Sequence, residues 1–445
     1  MTNEDQPGKL TTARICIALS TIPIIFCGIL TSILGYDAPY WGQWWKIPLI
    51  VKSIEGTIRF EDYWTLINEH RVFFLNLLTI PLARITHWNM AYELLLTLLF
   101  GFGAFVVLCR TILAAENPEQ CRRIWPIIPV ISLLMFSYSQ HNIWMWGLHV
   151  MIPMTLFAML ISIQCLIQPQ PSVLHITGAI ISAIIASYSF GAGIVIWGVG
   201  GSILILNTLQ KNKTAYIQLA VWAVAWIATM TIYFIGYEST PSETTAVQTL
   251  QHPTAFLTYV AAYIGAPIIS FHSPSAVLAG ISGLACVAYL LSNTHWKSAR
   301  DSTPVRMALS LILLTVGCAL LTAMKQWPEG PGQAISSRYL MWPTMFWVGL
   351  LILSATGMSS KQVMKFLVVG VVFFAVAGTL HGAYRADERH DAFELGKEAL
   401  RKNNSDQHLL YLYPILDVPQ QMLADLIQYE LSIFRNASDD PSQGE

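Results

Sequence analysis

Between Glu119 and Glu238 the chain carries no acidic residue at all, while apolar runs of about twenty residues follow one another. A bilayer core of ~30 Å needs about 20 apolar residues per crossing helix, so runs of this length predict spans rather than a soluble core. Composition agrees. Of 445 residues, 54% are hydrophobic and only 11% charged, against roughly 25% charged in ordinary soluble domains. The expected fold is an all-α integral membrane protein.

Apolar runs over residues 15–35, 90–113, 125–139, 148–167, 176–188, 194–209, 215–235, 276–291, 307–324, 340–356 and 366–381 predict about eleven helices. Two further stretches, 73–85 and 256–269, are short or broken by Pro81 and Pro267, and are expected to be interfacial or re-entrant. With both on the outer side, Lys9, Arg14, Arg122, Arg123, Lys211, Lys213, Lys297, Arg300, Lys361 and Lys365 all fall inside, as the excess of basic residues in cytoplasmic loops requires. The amino terminus is then cytoplasmic and the carboxyl terminus extracytoplasmic, with residues 1–381 a transmembrane domain and 382–445 a small outer region. The first run lacks a small-residue cleavage site and is expected to stay as a span.

A net charge of -1 leaves no basic field for nucleic acid. The seven cysteines form no CxxC pair and no zinc spacing, and there is no GxxxxGK[ST]. The segment Gly101-Phe102-Gly103 lies inside an apolar run and reads as close helix packing. The sequon at Asn212 falls on the cytoplasmic side of this topology.

Carboxylates gather in the first outer loop, residues 36–89, which holds Asp37, Glu55, Glu61, Asp62 and Glu69. Asp37 follows the first span directly, where an ionised group is costly unless it is paired or used. Glu61, Asp62, Glu69 and His70 are expected on an amphipathic juxtamembrane helix, with Asp62, Glu69 and Phe73 on one face. Glu93 is expected to pair with Arg84 or Arg71. A late loop ends Ser337-Arg338-Tyr339 at the mouth of a span; a planar guanidinium there suits bidentate contact with phosphate. The Gln140-His141-Asn142 turn leads to the indoles of Trp144 and Trp146, which either stack on sugar or sit in the interface. Residues 188–193, Tyr-Ser-Phe-Gly-Ala-Gly, predict a tight hairpin. The tail is expected to be helical with a short strand at 409–412, capping the outer loops.

On Asp37, the acidic-aromatic loop ending EDYWTLINEHRVFF, the Tyr-Ser-Phe-Gly-x-Gly hairpin and Ser337-Arg338-Tyr339, the chain resembles the GT-C superfamily, in particular a bacterial branch of it. These are polytopic glycosyltransferases that use polyprenyl-phosphate-linked sugars. The resemblance implies Asp37 as catalytic base, with Glu69 and His70 beside it. It also implies Arg338 on the lipid phosphate, and Tyr339, Arg71, Glu61, Asp62 and Trp144 among the substrate-binding residues. No Asp-Glu or Glu-x-Asp pair adjoins Asp37, so no metal ligands are assigned and a divalent metal stays open. The implied partners are a polyprenyl-phosphate-linked sugar, a glycan, lipid or protein acceptor, and membrane lipids, in a bacterial inner membrane. A flippase or transporter of a lipid-linked saccharide, or an O-antigen polymerase or ligase, would share this compartment and donor.

Overall fold

The computed structural model describes residues 6–115, 117–209, 213–237, 246–292, 302–358, 360–402 and 407–435. Lys211, Asn212, Lys297 and Arg300 lie outside the described residues. Among the described residues, eight helices are long and apolar enough to cross a membrane: Thr11–Leu34, Ala91–Leu113, Gly147–Leu166, Gly191–Thr208, Lys213–Phe234, Ser273–Ser292, Thr303–Glu329 and Gln362–Arg401. Three shorter apolar helices, Phe73–Thr86, Val173–Ser187 and Met341–Thr356, accompany them. These features fit an integral membrane protein. The only sheet among the described residues is a two-stranded hairpin.

An apolar helix is wrapped either by lipid or by other helices, and both kinds occur here. Every residue of Met341–Leu353 is buried, so this segment is central. The first helix instead exposes Ile15, Ile22, Ile25, Ile29 and Ile33, and Lys213–Phe234 exposes Val224 and Ile227. Such exposed apolar faces suit contact with acyl chains. Lipid tails are as apolar as leucine, so inner contacts rely on close packing rather than on hydrophobic drive. Ala261 and Gly265 face Ala276 and Gly280: a Cβ on Gly265 would stand 1.8 Å from the Ala276 carbonyl, and one on Gly280 2.0 Å from that of Ala261. Gly101 and Gly103 admit the rings of Trp144 and Phe157, which is the close helix packing expected of that pair.

The run at 125–139 is not one straight span. Pro126 and Pro129 remove backbone donors, and the chain proceeds as Pro118–Ile124, a 3-10 turn Trp125–Ile127 and a helix Ile128–Met135. This bent run still carries the chain from one end of the bundle to the other. Gln120 bonds the Thr356 carbonyl, close to where the last helix begins, and Asn142 accepts a bond from Arg389 far along that helix.

The last helix runs Lys361–Arg401, 41 residues without a break, about 60 Å at ~1.5 Å per residue. That is roughly twice the hydrocarbon thickness. Its first half is apolar, and its second half carries the charges from Arg385 to Arg401 out of the bundle. The boundary at 381/382 therefore falls inside a helix. Beyond it, residues 409–411 lie in a 3-10 turn, Gln407–Tyr411, and Leu412 in the turn that follows, not in a strand. The tail does cap the first loop: Trp41 N–H donates to the Leu412 carbonyl, Ser432 N–H to that of His87, and Tyr429 bonds Glu55.

Candidate functional site

The first helix ends at Leu34, and the chain turns into Asp37 through a Tyr36 N–H bond to the Met145 carbonyl at 2.8 Å. Three parts of the carboxyl-terminal segment then close on the turn. His390 Nδ1 lies 3.2 Å from the Leu34 carbonyl, and Phe393 stacks on Tyr36 at 4.4 Å. Ser432 Oγ donates to the Asp37 carbonyl at 3.0 Å. The Asp37 carboxylate meets Lys397 Nζ at 3.1 Å, and Lys397 is shared with Glu394 at 2.5 Å. The Asp37 side chain remains 43% exposed while Lys397 is 11% exposed. The anion is thus held from behind and open in front.

A second cluster forms around the 137–149 turn. Arg389 Nη1 donates to Asn142 Oδ1 at 2.9 Å, and His149 Nδ1 donates to the Asn142 backbone carbonyl at 2.7 Å. His141 Nε2 lies 3.4 Å from Ser337 Oγ, the neighbour of Arg338. Arg338 is exposed and rests over the Tyr339 ring at 5.0 Å, and its charge reaches His149 and Tyr259. Gln333 bridges Tyr339 and Tyr259. Burial, together with the cations Arg389 and Arg385, depresses the His141 imidazole to about 3, so it is neutral at physiological pH.

The amphipathic helix expected for 61–70 is replaced by two elements. Glu61 and Asp62 sit on a single turn, Phe60–Tyr63. Glu69 and His70 belong to a hairpin, β1 Leu66–Ile67 and β2 His70–Arg71, so Asp62, Glu69 and Phe73 do not share a helical face. The two turn residues, Asn68 and Glu69, have φ of 46° and 67°. Two consecutive left-handed residues make the primed turn whose twist matches paired strands, and Asn tolerates that conformation well. The left-handed Glu69 is the strained member. Its carboxylate pairs with Lys325, at the end of the helix that precedes the Arg338 loop.

His70 packs on the 188–193 hairpin, 4.3 Å from the Phe190 ring, and a Cβ on Gly191 would stand 2.5 Å from its Nδ1. The hairpin therefore needs glycine at 191 for this contact, and at 193, where a Cβ would strike the Ala186 carbonyl. Burial holds the His70 imidazole down at about 4, whereas an unfolded histidine titrates near 6.5. Its contribution to stability is present above the unfolded value and is lost as pH falls towards 4. Thermal unfolding in detergent should drop by about 1–2 kcal/mol more for wild type than for His70→Gln between pH 7.5 and 5. Equal drops would show that His70 is protonated in the folded protein.

Other expected site residues are otherwise engaged. Arg71 is 3% exposed and donates to the carbonyls of Trp64, Tyr233 and Ile235. It anchors the hairpin on the end of Lys213–Phe234, with its guanidinium over Trp64. Trp144 is fully buried, stacks on Phe136 at 5.7 Å and donates to the Ser137 carbonyl, so it offers no face to a sugar and is not in the interface. Trp146, half-buried and edge-on to Tyr40 at 5.3 Å, is the indole near the Asn142 cluster. Asp62 pairs with Lys52 at 2.6 Å and accepts the Arg59 N–H; both hold its carboxyl below the usual range. Glu61 is exposed. Glu93 pairs with neither Arg84 nor Arg71 but with Lys46.

Lys397, Arg389, Lys325 and Lys46 were invisible to the sequence pattern. The one usable signal was that Asp37, left at the membrane surface, required a cation from some distant segment. Among the described residues no group of three or more His, Cys, Asp or Glu side chains converges as a metal site. No family model, curated protein or solved structure matches the chain.

Proposed function

We propose that this protein is a GT-C-type glycosyltransferase that moves a sugar from a polyprenyl-phosphate-linked donor to an extracytoplasmic glycan, lipid or protein acceptor. The observation that supports the reading is an open carboxylate and an open guanidinium joined through one polar turn, residues 137–149, at the same end of the bundle. Asp37 and Arg338 are linked there through Tyr36–Met145, Asn142, His149 and the last helix. Glycosyl transfer needs a base for the acceptor hydroxyl. It also needs a fixed cation for the charge that develops on the departing phosphate. Asp37 serves as the base and Arg338 as the phosphate ligand, with Tyr339 beneath the guanidinium.

Eleven crossings complete the topology: the bent run 118–135 crosses, Phe73–Thr86 stays on the outer face, the amino terminus is cytoplasmic and the tail extracytoplasmic. The home membrane is a bacterial inner membrane. Glu69 and Lys325 tie the first loop to the segment bearing Arg338 and keep the two site walls in register.

Purified protein in proteoliposomes, given radiolabelled polyprenyl-phosphate-linked sugar and an acceptor mixture, should yield labelled acceptor. Losing one charge-assisted contact is worth about 1.5–3 kcal/mol, so Arg338→Ala should lower kcat/KM about 10–100-fold. Bilayer crossing of intact labelled lipid with no transfer would replace the enzyme with a flippase.

A further inference from the structure

Arg338 is not the one open cation at this end. Arg389 is exposed, and neither it nor Arg338 has a carboxylate within ion-pair distance among the described residues. Arg385, one turn before, is spent on Glu388 at 2.8 Å. The neighbours Asp387 and Asp391 stand two positions from Arg389, and residues two apart on a helix do not face each other. Arg389 and the segment bearing Arg338 both meet the His141-Asn142 turn. Asn142 Oδ1 takes the Arg389 guanidinium, and the Asn142 carbonyl takes His149, which lies within reach of the Arg338 charge. Ser337, adjoining Arg338, touches His141 on the same turn. His141 is 7% exposed and neutral, so it adds a dipole without a competing charge.

We propose that Arg338 and Arg389 form a two-arginine clamp, one on each side of the His141-Asn142 turn, for the two phosphoryl groups of a diphosphate. The proposal rests on the lipid-linked donor read above and narrows it to a polyprenyl-diphosphate-linked saccharide. A monophosphate presents one group, which Arg338 alone can grip; a second fixed guanidinium is useful when a second group follows it. The Asn142 bond holds Arg389 at one of its five donors and leaves the rest of the fork for the ligand.

Binding to the full-length protein in detergent is measured by calorimetry, with inorganic phosphate, inorganic pyrophosphate, farnesyl phosphate and farnesyl diphosphate as probes. Pyrophosphate should bind at least 10-fold more tightly than phosphate, and farnesyl diphosphate more tightly than farnesyl phosphate by a similar factor. If only the prenylated pair shows the preference, the clamp recognises lipid; if both pairs do, it recognises the free anion as well. Arg389→Gln keeps a partner for Asn142 and should erase the diphosphate preference while phosphate affinity stays within about two-fold. Arg389→Lys should restore part of it. Equal affinities in the wild type, or a preference untouched by Arg389→Gln, overturn the clamp. These readouts need no turnover: a preference carried by both arginines without any transfer would leave the clamp and remove the transferase. Transfer from monophosphate donors with an indifferent Arg389 variant would do the reverse.

Discussion

An Asp37→Asn protein should insert, fold and run as wild type on a sizing column, yet lose sugar transfer by about 10²–10⁴-fold, the usual contribution of a positioned general base. The substitution is close to isosteric and removes one charge. Such a change often leaves an orphaned counter-ion, and here it does not. Lys397 keeps Glu394 at 2.5 Å, and the bonds that form the turn, from the Tyr36 N–H to the Met145 carbonyl and from Ser432 Oγ to the Asp37 carbonyl, involve no carboxylate. The lost ion pair is nearly half exposed on the aspartate side, and such pairs contribute about 0–1 kcal/mol. Stability and activity should therefore separate. The measurement is labelled-sugar transfer beside a thermal unfolding curve for the same preparation. Transfer within ten-fold of wild type removes Asp37 as the base, and a fall in unfolding temperature that tracks the activity loss makes Asp37 structural. Asp37→Glu, which keeps the charge but advances it by one methylene, should recover part of the rate.

How the carboxylate comes to be there explains what the sequence could and could not announce. The spans were legible because lipid demands an apolar run of fixed length, and that demand is local to each segment. Eight long helices lie where such runs predict them. The position of Asp37 just after Leu34 was legible for the same reason. The hairpin at Leu66–Arg71 was not: its turn uses Asn-Glu rather than Asn-Gly, and a short polar stretch beside aromatics fits a helical face equally well. What decided it lies elsewhere in the chain, where Arg71 reaches the carbonyls ending Lys213–Phe234 and Asn76 bonds Tyr63 and Thr65. Trp144 departs from its sequence expectation for a related reason. An indole beside a polar turn reads as surface, but the glycine at 101 opens a slot that draws it inward. Cationic partners were the hardest to read. Lys397 and Asp37 stand 360 positions apart, and no periodicity connects them.

The largest effect on stability is expected at the pair that roots the first loop. Lys46 and Glu93 are 1% and 2% exposed, with Nζ 3.5 Å from Oε1. Glu93 also accepts from Trp88 Nε1 at 3.2 Å and Gln43 Nε2 at 3.0 Å, and Lys46 donates to Thr79 at 3.1 Å. Burial disfavours the Lys46 ammonium and the Glu93 carboxylate restores it in part. Lys46→Met strands an anion that two neutral donors cannot balance, and removing one partner of a buried pair costs about 3–5 kcal/mol. Glu93→Gln strands the ammonium and should cost a similar amount. The double variant Lys46→Met/Glu93→Gln leaves no buried charge, and replacing both partners of such a pair is often neutral. It should therefore return most of the loss, read as denaturant unfolding in detergent across the four proteins. Single variants within about 1 kcal/mol of wild type, or a double variant as unstable as the two losses added together, would mean that water reaches the pair. The same network bears on the site, because Gln43 bonds Trp146 at 3.0 Å beside Asn142. If that link is mechanical, the single variants should lose transfer even at temperatures where they remain folded, and the double variant should regain it along with its stability.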